Sequence, residues 1–299
     1  MYHHRISSSR PGLVPGLLIA CAALAMLVTN VNAQSTTQVI QLSTRMPVGV
    51  GDQVGIGGFI VTGTSPKSVI VRGIGPTLAQ SGLAGTLADP VLELHGPSGF
   101  TTITNDNWRD TQEQQIQTAG LAPTSNLEPA IWAVLPPGAY TAILRGNNNT
   151  TGTALVEIYD LNPAPDSRLA NLSTRAFCDV DANIIIAGLM ISNGGTSDQV
   201  VVRGIGPSLA PAVANALANP VMELRNNSGT LLVANNDWQD NPVQAQQITA
   251  AGLGLTNGLD CAVFAVLPPG RYTALLFGNS NGSGNGLVEV YDLGPAPAQ

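Results

Sequence analysis

The chain has 299 residues, 44% hydrophobic and 10% charged, with 33 glycines, 21 prolines and a formal charge of −7. Twelve cations against 19 anions, with Lys67 the single lysine, cannot neutralise a run of phosphates. That excludes nucleic-acid binding and argues against docking on an anionic membrane.

Arg5 and Arg10 precede an almost wholly apolar run from Leu13 to Val28. Val31-Asn32-Ala33 then places small residues at −3 and −1 of a cut before Gln34. The run is shorter than the roughly 20 residues that span a bilayer. The expectation is a cleaved signal peptide over residues 1–33, and export to the cell surface, medium or periplasm. A second reading takes Leu18-Ile19-Ala20-Cys21 as a lipobox with Cys21 lipidated, but Ala22 to Val28 stay apolar where a lipoprotein turns polar. Cleavage leaves His95 as the one histidine, and Cys178 and Cys261 as the two cysteines.

Beyond the signal the chain is one unit of about 130 residues written twice. Leu42-Ser43-Thr44-Arg45 recurs as Leu172-Ser173-Thr174-Arg175, and Arg72-Gly73-Ile74-Gly75-Pro76 as Arg203-Gly204-Ile205-Gly206-Pro207. Asn105-Asp106-Asn107-Trp108 recurs as Asn235-Asn236-Asp237-Trp238, and Val156-Glu157-Ile158-Tyr159-Asp160 as Val288-Glu289-Val290-Tyr291-Asp292. These repeats place the first unit at 34–162, a proline-stiffened linker at 163–171 and the second unit at 172–299.

Within the first unit the apolar runs are short and β-branched: Val54 to Val61, Ser68 to Arg72, Val91 to Leu94, Ile131 to Leu135, Tyr140 to Leu144 and Ala154 to Tyr159. Gly, Pro, Asn and Asp separate them, which is strand-and-turn writing. Glu93 falls on the face opposite Leu92 and Leu94. Helix signals are confined to a short piece after Pro76 and to Thr111–Ala119, closed by Gly120. Six to eight strands per unit predict an all-β protein of two tandem β-sandwich or jelly-roll-like domains.

Asp89-Pro90-Val91-Leu92-Glu93-Leu94, the turns at Ser98-Gly99 and Asn105-Asp106-Asn107, Leu135-Pro136-Pro137-Gly138-Ala139-Tyr140-Thr141 and the closing Tyr159-Asp160 resemble the layout of bacterial pre-peptidase C-terminal domains. The likeness covers about the last 70 residues of each unit. The whole unit also resembles uncharacterised repeats in large exported bacterial proteins. Both resemblances imply secretion and a non-catalytic accessory role.

Catalytic constellations are thin. His95 stands alone, with Arg225 at its place in the second unit, and reads as a surface strand residue. Arg-Gly-Ile-Gly-Pro lacks the Gly-Lys-Ser/Thr ending of a phosphate loop, so its glycines read as strand-end residues. Arg72 calls for Glu93 or Glu157 as a cross-strand partner, and Arg203 for Glu223 or Glu289. The same carboxylates taken in pairs would suit a glycosidase, but recurrence beside an arginine favours ion pairs. In an oxidising compartment Cys178 and Cys261 are expected to form a disulfide, worth about 4–5 kcal/mol in the chain-entropy model.

The Asn/Asp turns are the functional candidates. Asn105, Asp106, Asn107 and Asp110, with Asn235, Asn236, Asp237 and Asp240, offer clustered oxygens of the kind Ca²⁺ takes; Asx turns are the alternative. Trp108 and Trp238 follow these turns, where each either stacks on a sugar or caps the core. The functional expectation is a secreted, non-enzymatic structural or adhesive protein of a bacterial surface or matrix, with glycans or other surface proteins as partners. The alternative is a carbohydrate-binding module, with or without calcium.

Overall fold

In the computed structural model, residues 37–297 are described, apart from 181–182 and 211. The expected signal peptide over 1–33 and Cys21 lie outside the described residues. Each β-branched run becomes a strand. The first repeat contributes β1 (Val39–Val48), β2 (Gly55–Gly63), β3 (Lys67–Ile74), β4 (Pro90–His95), β5 (Ile103–Asn105), β6 (Ala130–Leu135), β7 (Gly138–Gly146) and β8 (Gly152–Asp160). The second contributes β9 (Ser167–Cys178), β10 (Ile185–Ile191), β11 (Asp198–Ile205), β12 (Pro220–Asn226), β13 (Leu231–Asn235), β14 (Cys261–Leu267), β15 (Gly270–Gly278) and β16 (Gly284–Pro295). Both helix signals of the first unit are present as α1 (Pro76–Gln80) and α2 (Glu113–Thr118), and α3 (Pro242–Ala250) is the counterpart of α2.

The strands form two packed, eight-stranded antiparallel sheets, so the protein is an all-β sandwich. One sheet runs β13-β12-β15-β10-β1-β8-β3-β6, the other β14-β11-β16-β9-β2-β7-β4-β5. Each repeat places four strands in each layer. The second repeat occupies the layers in exchanged order, so the two are related by a pseudo-two-fold. The sandwiches are fused edge to edge: β1 pairs with β10 in one sheet, and β2 with β9 in the other. Thr44 and Thr174, equivalent residues of the repeated Leu-Ser-Thr-Arg, hydrogen-bond each other at 3.0 Å in the interior, where such an axis must pass.

Fusion shortens the linker. The expected span of 163–171 overlaps β9, whose Leu169 and Asn171 already pair with β2. The connection is confined to residues 161–166, because pairing draws the chain straight from β8 into the opposite sheet.

One apolar core fills the interlayer space of both repeats, with Leu42, Phe59, Leu92 and Leu144 from the first and Leu189, Val202, Leu224 and Leu276 from the second. Fully burying such a side chain stabilises by about 1.5–3 kcal/mol. In β4, Leu92 and Leu94 are buried and Glu93 faces outward, as the alternation predicts. β3 is buried on both faces: Val69 and Val71 face the core, while Ile70 lies with Trp108, Ile116 of α2 and Ala130 in a satellite cluster. Val201, Trp238, Ile248 of α3 and Ala262 repeat that cluster in the second unit.

The recurrent Arg-Gly-Ile-Gly-Pro ends β3 and β11. A Cβ on Gly75 would sit 2.2 Å from the Leu87 carbonyl oxygen, and one on Gly206 2.1 Å from that of Leu217, so close backbone approach demands glycine at both. A carboxylate holds each turn. Glu128 accepts from Gly75 N at 3.0 Å and Thr77 N at 2.7 Å; Asp260 accepts from Gly206 N at 2.8 Å and from the Ser208 hydroxyl.

Candidate functional site

The charged residues are used inside the sheets. Arg72 on β3 lies opposite Glu157 on β8, and Arg203 on β11 opposite Glu289 on β16. Arg72 donates through Nε to Glu157 at 2.9 Å, through Nη1 to Leu121 O at 2.9 Å and through Nη2 to Tyr159 Oη at 3.1 Å. Arg203 repeats the set with Glu289 at 2.8 Å, Leu253 O at 3.1 Å and Tyr291 Oη at 2.9 Å. Burial, then the neighbouring glutamate charge, pushes both tyrosine hydroxyls up to about 12.

Of the two partners open to each arginine, Glu93 and Glu223 are therefore not the ones. They sit in the layer opposite their arginine. Glu93 takes Arg145 at 3.0 Å and His95 at 3.3 Å, and Glu223 takes Arg225 at 2.6 Å. The hydrogen bond from Arg145 is the main cause holding the Glu93 carboxyl below its usual range. His95 lies on β4 between Glu93 and Thr102, as a surface strand residue.

The cysteines do not pair. Both are free and buried, Cys178 on β9 and Cys261 on β14. β11 and β16 lie between those strands, three strand spacings or roughly 14 Å across the sheet, and the register sets Cys178 a further four residues along β9 from the point level with Cys261. A disulfide needs Cα atoms within about 7 Å. Their thiols instead face the carbonyls of Leu276 at 3.2 Å and Gly204 at 3.5 Å, and burial pushes both up.

The Asn/Asp turns join the layers. Asn105 Oδ1 accepts from Ala130 N at 2.9 Å while its amide donates to Asn107 O at 3.0 Å; Asn235 does the same with Ala262 N and Asp237 O, both at 2.9 Å. Each asparagine thus ties an edge strand of one sheet to an edge strand of the other. Asn107 Nδ2 donates to Asp110 at 3.2 Å. Asp106, Asn236 and Asp237 each keep one buried oxygen without a partner. Among the described residues, no group of three or more His, Cys, Asp or Glu is arranged to hold a metal ion.

Trp108 and Trp238 are 2% and 7% exposed, so neither presents a ring to a sugar. Each is enclosed between a helix and the outer face of a sheet. The aromatic residue at a cleft is Trp132 on β6, which the tryptophans beside the polar turns obscured. Its signal was the repeat itself, since Phe264 holds the same place in the second unit.

Trp132 is half-buried and its backbone is clamped. Gln112 donates through Nε2 to Trp132 O at 2.7 Å and accepts from Trp132 N at 3.0 Å through Oε1. Gln112 does this from a left-handed conformation with φ 59°, which costs a non-glycine residue on the order of 1 kcal/mol. The two-point clamp also blunts a free sheet edge. Ile116 anchors α2 over the sheet, and Gln114, Gln115 and Thr118 stand exposed on the helix. With Ala119, Trp132 and Leu161 they line an open cleft of about 560 Å³ that holds no charged side chain. Phe264 lines a different cleft, of about 530 Å³, with Leu232, Val233, Gln244 and Val266; none of the helix residues equivalent to Gln114, Gln115 and Thr118 reaches it.

No family model and no curated protein matches the chain. Among solved structures it is similar to that of PNGF-II, at 9% identity and a TM-score of 0.24, covering 89% of this chain and 58% of that one. It is also similar to the infectious bursal disease virus VP2 subviral particle, at 12% identity and a TM-score of 0.15, covering 88% and 74%. Likenesses this low carry no argument about function.

Proposed function

We propose that the protein is an exported, non-enzymatic structural and adhesive β-sandwich of the bacterial surface or extracellular matrix, and that its adhesive contact is a neutral saccharide laid on Trp132. The observation that carries this reading is the cleft itself. The half-buried indole, on a backbone held by Gln112, offers an apolar platform, and Gln114, Gln115 and Thr118 offer donors and acceptors at its rim. A pyranose has the complementary surface, with C–H groups on its face and hydroxyls on its edge. The uncharged lining favours neutral sugars over uronates or sulfated glycans. The rigid fused slab suits a structural role, and the layout resembling pre-peptidase C-terminal domains fits an accessory one.

The test is a glycan array followed by titration calorimetry, with and without Ca²⁺ or EDTA. Neutral oligosaccharides are expected to bind, and Trp132→Ala to abolish binding while Phe264→Ala leaves it. An empty array, preference for anionic glycans, or full binding by a folded Trp132→Ala variant would overturn the reading. Loss of binding in EDTA would add calcium to the contact.

A further inference from the structure

The pseudo-two-fold allows each buried charge to be compared with its counterpart. In the first repeat, Lys67 at the start of β3 donates to Asp160 at the end of β8 at 2.7 Å, and both side chains are fully buried. Gln38 donates to the same Asp160 oxygen at 3.3 Å. That set is one cation, one anion and a neutral amide.

In the second repeat the lysine's place is taken by Asp198, fully buried at the start of β11, and Asp160's by Asp292 on β16. The glutamine's place is taken by Arg168 on β9. The cation has moved, but a second carboxylate now stands where it was. Arg168 reaches Asp292 Oδ1 at 3.1 Å, where Gly294 N also donates at 2.8 Å, and Val39 N donates to Oδ2 at 3.0 Å. Asp198 Oδ1 accepts only its neighbour's amide, Gln199 N, at 3.0 Å, and its Oδ2 is buried with no partner. The two buried carboxyl groups stand on neighbouring strands: Asp292 of β16 pairs opposite Val200, two residues along β11 from Asp198 and on the same face. Asp292 and Arg168 are the charged groups that bear on Asp198; β14 brings Leu267 opposite it, and on the first repeat's side Val39 N bonds Asp292 while the preceding Gln38 bonds Asp160, itself paired with Lys67. One arginine cannot neutralise two buried carboxylates, and an unpaired buried charge is expensive.

We propose that Asp198 and Asp292 share one proton, Asp198 Oδ2 donating to Asp292, and that the pair is a pH-sensitive latch holding the first strand of the first repeat to the last strand of the second. The latch lies where Val39 of β1 meets Asp292 of β16, so its release loosens the seam between the repeats. Burial, reinforced by the charge of Asp292, pushes the Asp198 carboxyl from 3.8 to about 7. A carboxyl raised on folding stabilises fully below its unfolded value and loses that stabilisation as pH rises through its folded one. This group alone therefore raises the unfolding equilibrium constant by up to about a thousandfold between pH 4 and 7. Asp160 and Asp292, which burial also pushes up, leave slopes of the same sign.

The experiment compares thermal melting of the wild-type protein and Asp198→Asn from pH 4 to 8.5. Asn keeps the shape and can donate to Asp292 without titrating. The variant's Tm is expected to gain on the wild type from pH 4 to 7 and to hold a constant lead above that. A second variant, Asp198→Lys with Arg168→Gln, installs the first repeat's arrangement and is expected to show the same gain. Should these variants fail to fold, hydrogen exchange of the wild-type Val39 amide reads the latch directly. Its protection is expected to fall through pH 7 beyond the intrinsic base catalysis. A Tm difference independent of pH, or a Val39 protection factor unchanged from pH 6 to 8, would overturn the proposal.

Discussion

Glu128→Ala tests whether a buried carboxylate is what fastens the recurrent glycine turn. Glu128 is fully buried and receives four donors: Gly75 N and Thr77 N on Oε1, and the Thr77 hydroxyl at 2.6 Å and Ser125 N at 3.3 Å on Oε2. Truncation frees all four. The hydroxyl can turn elsewhere, and the long Ser125 contact counts for little. That leaves two backbone amides at the β3–α1 corner without an acceptor. Hydrogen bonds to a charged group are worth about 1.5–3 kcal/mol each, so the expected loss is about 3–6 kcal/mol. Glu128→Gln retains an oxygen for the two amides and loses only the Oε2 contacts, at about 1–2 kcal/mol. Urea unfolding followed by tryptophan fluorescence reads both, with an unchanged m-value showing that stability alone has moved. A loss below about 1 kcal/mol in Glu128→Ala, or equal losses in the two variants, would refute this account of the turn.

Two further outcomes follow from the topology. Cys178 and Cys261 should be silent to a thiol reagent in the native protein and both react in urea, and a reductant should leave Tm unchanged; one disulfide's worth of missing thiol would contradict the strand order. The first repeat expressed alone as residues 34–162 should self-associate, because β1 loses β10 and β2 loses β9, leaving two long unpaired edges. The complete chain should melt in one transition. A monomeric half-chain by light scattering, or two separate melts of the whole, would show that the repeats are independent.

Much of the local structure was legible because it depends on neighbours in sequence. The alternation in Val91-Leu92-Glu93-Leu94, the β-branched Val69-Ile70-Val71 and the proline opening α1 state their own conformations. The candidate site was legible only in part. Trp108 beside a polar turn looks like a binding residue until α2 is folded over it, and Trp132 inside an apolar run looks like core until the sheet turns its side chain to the outer face beside α2. Burial belongs to the packed layers, and no window of sequence contains it.

Contacts between neighbours along the chain suffice for an all-β protein, duplicated, with its strands, turns and recurring Arg and Glu residues in place. Packing between distant strands sets the rest: Arg72 meets Glu157 and not Glu93, Cys178 and Cys261 stay apart, and the two repeats share both sheets. One cause underlies all three. A strand's hydrogen-bonding edge accepts any strand of suitable register, so the choice of neighbour rests on packing between residues far apart in sequence, 85 positions in the case of Arg72 and Glu157.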